Sequence, residues 1–108
     1  MYSIDGNKIT LTKGDSFYCE VNLKDDDGNA YEPVYGDTIT FSLKKHYSER
    51  VPILSKNIPT GTMLLRIAPA DTADLPLGTY VYDMQLTTGN DVYTFISSTI
   101  TLTAEVTR

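Results

Sequence analysis

The chain has 108 residues, 41% hydrophobic and 21% charged, a globular composition that suits one domain with one core over residues 1–108. Its formal net charge of −5 lacks the basic excess that neutralises phosphates, so neither nucleic acid nor an anionic membrane is an expected partner. No apolar run nears the roughly 18 residues of a membrane span, the start has no secretory-signal pattern, and the lone Cys19 cannot close an intramolecular disulfide.

The 15 Thr and 8 Tyr are β-favouring, and the apolar residues alternate as strands with one buried face require. Ile9 and Leu11 alternate with threonines before a turn at Lys13-Gly14-Asp15. Phe17, Cys19, Val21 and Leu23 mark the clearest strand, with its odd-numbered face in the core and Cys19 a buried, inert thiol. Asp25-Asp26-Asp27-Gly28-Asn29 reads as a turn. Residues 31–35 form a short extended piece that Pro33 confines to an edge or a loop.

Ile39, Phe41 and Leu43 mark the next strand, followed by a charged loop over residues 44–50 and a short strand at 51–54. Residues 59–62 turn, and Met63, Leu65 and Ile67 mark another strand. Asp71-Thr72-Ala73-Asp74 reads as one helical turn with Asp71 as its N-cap. Gly78 opens a strand whose Tyr80, Tyr82, Met84 and Leu86 share a face, and Gly89-Asn90 suits a hairpin. The last run changes phase, since Tyr93 and Phe95 are odd while Ile100 and Leu102 are even. A β-bulge near Ser97-Ser98 repairs this; otherwise Tyr93 and Phe95 face outward while Val92 and Ile96 face inward.

Seven or eight strands at this spacing predict an all-β, immunoglobulin-like antiparallel β-sandwich. Asp71, Leu75, Gly78 and Tyr80 carry the parts of a tyrosine corner, in which a Tyr near the start of the sixth strand bonds back to the preceding turn. The position two residues later is Tyr82 rather than a cysteine, so ordinary packing replaces the inter-sheet disulfide of antibody domains.

Candidate chemistry is sparse. The run 25–29 fails the EF-hand register, which would put Leu23 and Val34 at ligand positions, and it serves as a plain turn. His46 stands in a charged loop with Lys44, Lys45 and Arg50, where a solvated histidine is the simpler reading than a hydrolase base. Asp83 and Asp91 could face each other across the hairpin, although surface and turn use accounts for both. No phosphate loop is present, and one His with one Cys does not make a zinc site, so no cofactor or metal is expected. Tyr18, Tyr31, Tyr35 and Tyr47 read as exposed aromatics, candidates for a protein interface or for stacking on sugars. The strands at residues 9–12 and 98–103 lack protective charge or Pro and read as edges open to pairing with another chain.

Two stretches carry a family resemblance: ITLTKGDSFYCEVNLKDDDGNAYEPVYGDTITFSLKK, and IAPADTADLPLGTYVYDMQLTTGNDVYTFISSTITLTAEVT with its Gly-Thr-Tyr-x-Tyr-Asp core. Over about residues 8–107 the chain resembles small immunoglobulin-like proteins of tailed phages and prophages of Gram-positive bacteria, in particular the N-terminal domain of the phage baseplate upper protein family. The resemblance implies a non-enzymatic virion structural protein of the tail or baseplate. Its partners would be other virion proteins or a second copy, and its location the bacterial cytoplasm during assembly and then the virion. A surface glycan- or protein-binding module is the alternative.

Overall fold

A computed structural model describes residues 2–5, 7–23, 29 and 31–104. Eight strands are present among them: β1 (Tyr2–Asp5), β2 (Lys8–Thr12), β3 (Phe17–Glu20), β4 (Thr38–Lys44), β5 (Leu54–Ile58), β6 (Leu64–Ile67), β7 (Gly78–Thr88) and β8 (Asp91–Thr103). One short helix, α1 (Pro69–Thr72), precedes β7. A six-stranded sheet runs β1-β2-β8-β7-β4-β5, and β3 pairs with β6 in a second, two-stranded sheet. The all-β sandwich predicted from the alternation is the observed fold.

The alternation works because successive side chains of a strand point to opposite faces. Ile39, Phe41 and Leu43 of β4 are buried together, as are Tyr80, Tyr82, Met84 and Leu86 of β7. Phe17, Leu65 and Ile67 meet them from the smaller sheet, giving one apolar cluster between the layers. The Phe41 and Tyr82 rings pack tilted in that cluster with centroids 5.5 Å apart. Val21 and Leu23 continue the buried face of β3 past its last ladder residue, and the Val21 N–H donates to the Met63 carbonyl at 2.8 Å.

Several expectations are corrected. The sandwich is not wholly antiparallel, because β2 runs parallel to β8 with Ile9 opposite Ile100 and Leu11 opposite Leu102. This pairing, together with β1 lying along the other side of β2, makes both supposed edge strands internal. Their backbone groups are satisfied within the chain. The strand expected at 51–54 begins only at Leu54. Residues 31–35 form a loop, one of the two outcomes that Pro33 left open. The turn expected at 25–29 has its residues 25–28 outside the described residues.

The phase change in β8 is real, but its bulge is at Phe95 rather than Ser97-Ser98. Met84 pairs with Ile96 while the next residue, Gln85, pairs with Thr94, which leaves Phe95 as the extra residue. Phe95 and Ile96 both pack against the core, as a two-against-one bulge allows. Beyond it Tyr93 comes opposite Leu86, and both Val92 and Tyr93 are exposed near the hairpin tip. Gly89 turns this hairpin with φ +57°, in the left-handed region that glycine favours.

Candidate interaction surface

The two ends of β7 separate the features singled out in the sequence. Its eleven residues span roughly 35 Å at strand rise. The corner lies at the Gly78 end. Residues 31–37 before β4, the loop joining β5 to β6, and the β7–β8 hairpin gather at the Thr88 end.

At the corner, the Tyr80 hydroxyl donates to the Pro76 carbonyl at 2.6 Å, and the ring is 1% exposed. Lys45 Nζ lies 4.6 Å from the ring centroid, a cation–π contact. Leu75 packs against the core as the expected anchor, and Gly78 takes φ +140°, where a side chain would be strained. The role expected for Asp71 changes. Helix α1 is capped three residues earlier, at Ala68, with Pro69 at its first position where the missing N–H costs nothing. Asp71 is its third residue, and its carboxylate accepts from the Ala68 N–H at 2.7 Å and pairs with Lys56 Nζ at 2.9 Å. Burial pushes this carboxyl up, but Lys56 and the Ala68 N–H outweigh it and leave the group below the usual range. Thr72, which the sequence did not single out, is buried and accepts from the Gly14 N–H at 3.0 Å, tying the helical turn to the β2–β3 turn.

The four tyrosines do not form one surface. Tyr18 stands on the outer face of the small sheet, where Arg66 Nε donates to its hydroxyl at 3.1 Å. Tyr47 is exposed in the loop after β4, toward the corner. Tyr35 is fully exposed (106%) just before β4, at the other end. Tyr31 is not exposed as expected: it is half-buried against the core, and its hydroxyl donates to Asp37 Oδ2 at 2.7 Å. The same oxygen accepts from the Val34 N–H at 3.0 Å, so Asp37 pins the loop that presents Val34 and Tyr35. The Val34 N–H, the Thr88 hydroxyl and the Tyr31 hydroxyl hold the Asp37 carboxyl below its ordinary value.

This loop meets the hairpin, since Thr38 is opposite Thr87 and Thr87 is opposite Val92. Val34 and Tyr35 from one segment and Val92 and Tyr93 from the other are therefore exposed at the same end. The sequence singles out neither Val34 nor Val92 as a surface candidate, and it puts Tyr93 outward only in the alternative register of the last strand. The available signal was their position beside turn residues, where a large apolar side chain has little core to enter. An open groove of about 590 Å³ adjoins this end, walled by Glu20, Asn22, Tyr31, Glu32, Thr60 and Met63 among others.

His46 is exposed, with its carbonyl accepting from the Glu49 N–H at 3.1 Å. Asp83 lies opposite Ser97 and Asp91 opposite Thr88, so the two carboxylates do not face each other. Cys19 is only half-buried rather than enclosed, and burial followed by the nearby Glu20 charge raises its thiol pKa. No group of three metal-ligating side chains occurs among the described residues. Among them, no helix is long and apolar enough to cross a membrane. No protein-family model matches the chain, and no curated protein does.

Proposed function

We propose that the protein is a non-enzymatic structural component of a phage or prophage particle, of tail or baseplate type, working by protein–protein assembly through its loop end. The convergence of exposed Val34 and Tyr35 with exposed Val92 and Tyr93 carries this reading. Large apolar and aromatic side chains presented at one end by a bonded scaffold are what a protein contact uses, because their burial removes apolar area from water at small entropic cost. The Tyr31–Asp37–Val34 bonds supply that scaffold. The phage setting follows from the sequence resemblance to baseplate upper protein N-terminal domains, and it places the protein in the bacterial cytoplasm during assembly and then in the virion. Its partners are other virion proteins or a second copy, and the assembly role needs no cofactor.

Light scattering after size exclusion, over a concentration series with and without tail proteins of the same particle, tests this reading. A complex that is lost in Tyr35→Ser and Tyr93→Ser supports it. A strict monomer that ignores every tail protein overturns it. A glycan-binding reading has its own observation, the groove beside Tyr31 with its carboxylates, amide and threonine hydroxyls. Saturable binding on a glycan array, abolished by Glu32→Ala, would bring that reading forward.

A further inference from the structure

Charge is divided along the molecule. β7 spans roughly 35 Å, too long for the 27 Å and 22 Å extents, so it runs mainly along the 45 Å one and its ends mark two poles. At the Thr88 pole stand the carboxylates of Glu20, Glu32, Asp37 and Asp91, and no Lys or Arg accompanies them among the described residues. At the Gly78 pole the sign reverses. The end of β4 and the loop after it hold Lys44, Lys45 and Arg50 against Glu49, whose carboxylate is turned back to accept from the Lys45 N–H at 3.4 Å. Of the other acids at this pole, Asp71 is paired with Lys56, while Asp15 and Asp74 are set against Lys13. The poles lie farther apart than the screening length of about 10 Å at 0.1 M salt, so neither neutralises the other within one chain.

Exposed apolar side chains follow the same division. Apart from Tyr18 and Leu64 on the small sheet, the large ones lie at the poles among the described residues. Val34, Tyr35, Val92 and Tyr93 form the set at the Thr88 pole. At the Gly78 pole Tyr47 and Val51 flank the exposed Arg50 in one loop, and Leu77 stands just before β7. Each pole therefore joins aromatic and aliphatic surface to charge of a single prevailing sign. This is the make-up of an interface, with an apolar centre and a charged rim. What the rim of one pole lacks, the rim of the other supplies.

We infer that the acidic loop end docks on the basic loop after β4 of a second copy of this chain, so that copies associate head to tail. Charge complementarity selects this occupant and this orientation. Two loop ends brought together would set Glu32 and Asp91 against their own counterparts, and two basic loops would do the same with Lys44 and Arg50. The net charge of −5 opposes side-by-side clustering, which leaves the unlike poles as the place of attraction. A contact between unlike surfaces is heterologous. Each added copy leaves one free pole of each kind, so the series grows or closes as a ring and does not stop at a two-fold dimer.

The inference names a partner for the loop-end surface proposed above and rests on that reading. The corner itself takes no part in the contact: Tyr80 is buried, with Lys45 over its ring, and Asp71 is held by Lys56. The acceptor is the outside of the loop, at Tyr47, Arg50 and Val51. The last copy of an open series keeps a free loop end, which is the surface left for a tail protein.

The test is charge exchange, read by sedimentation velocity over a concentration series. Glu20→Lys, Glu32→Lys and Asp91→Lys together leave three lysines against Asp37, so both poles become basic. Lys44→Glu and Arg50→Glu together leave three acids against Lys45, so both poles become acidic. At about 0.02 M salt the wild-type mass should climb past a dimer as concentration rises, and it should fall to a monomer at about 0.5 M salt, where the screening length is about 4 Å. Each variant alone should self-associate at least tenfold more weakly, and an equimolar mixture of the two should recover assembly, because each supplies the pole that the other lacks. A mixture that stays monomeric, or a wild-type dimer that neither grows nor responds to salt, would overturn the inference. If the variants misfold, the wild-type series decides alone, and a mass fixed at the monomer's would sink it. That failure leaves the loop-end reading to its own test with tail proteins, whereas undiminished self-association in Tyr35→Ser would overturn both.

Discussion

The corner end of the sandwich and its loop end use the same residue types for opposite purposes. At the corner, Tyr80 is buried and its hydroxyl bonds to Pro76, while Asp71 and Thr72 each satisfy a backbone N–H. At the loop end, Tyr31 and Asp37 make similar bonds, yet their neighbours Val34, Tyr35, Val92 and Tyr93 stay in solvent. A hydrogen-bonded tyrosine thus locks two layers together in one place and stiffens a presented loop in the other. What differs is whether core lies behind the bonded residue. The corner should then be expensive to disturb and functionally silent, and the loop end cheap to disturb and functionally loud.

The largest expected effect is Tyr80→Ala. It removes a ring that is 1% exposed, and loss of a buried aromatic typically costs about 3–5 kcal/mol. Urea unfolding followed by circular dichroism measures it. A midpoint within error of wild type would show that the corner is not a structural anchor.

Next comes Thr72→Val, which keeps the shape but strands the Gly14 N–H. An unsatisfied group in that partly buried place costs about 1–3 kcal/mol. Unfolding midpoints compared with those of Thr101→Val, whose hydroxyl meets Thr79 at the surface, sharpen the contrast. Equal losses would mean that the tie between helix and turn carries no special weight. Tyr80→Phe should cost less, about 0.5–1.5 kcal/mol, because the ring stays and only the bond to Pro76 goes.

Acid should weaken both ends. The Asp71 and Asp37 carboxyls are each held below their ordinary values in the folded chain. A depressed folded pKa means that the unfolded state binds protons first as pH falls. The stabilisation is therefore fully present above about pH 4, the unfolded carboxylate value, and lost as pH drops through the folded values. Thermal melts from pH 6 down to pH 2 check this, and Asp37→Asn should flatten the loop-end share of the decline.

The strands and the corner were legible in the sequence because both are local. Alternation at period two names the buried face of β4 and β7 without any knowledge of their neighbours, and the corner lies within ten residues. Features that depend on partners distant in the chain were not legible. The bulge belongs to Phe95 because Met84 and Gln85 set the register across the hairpin, so β8 alone cannot place it. The terminal strands looked like free edges because nothing near them shows that they pair with each other in parallel. The Thr72–Gly14 bond spans 58 residues. Tyr31 looked exposed because its partner Asp37 resembled an ordinary turn residue, and Cys19 looked enclosed because alternation names the face a residue shares but not how far that face is covered.

The smallest expected effect on stability is Tyr35→Ser, and it separates the two ends most sharply. Tyr35 is fully exposed, and substitutions at such sites usually stay within about 0.5 kcal/mol. The Asp37 bonds to Val34 and Tyr31 do not involve its side chain, so the loop should keep its shape. If the loop end is the contact surface, this change should nevertheless weaken a tail-protein complex at least tenfold, as loss of an aromatic anchor near an interface centre does. Titration calorimetry on the purified pair reads that loss, with the unfolding midpoint measured on the same sample. Full affinity with an unchanged midpoint would make Tyr35 a bystander and move the contact elsewhere on the sandwich. A fall in both would mean that the loop end is structural after all, which would erase the contrast with the corner.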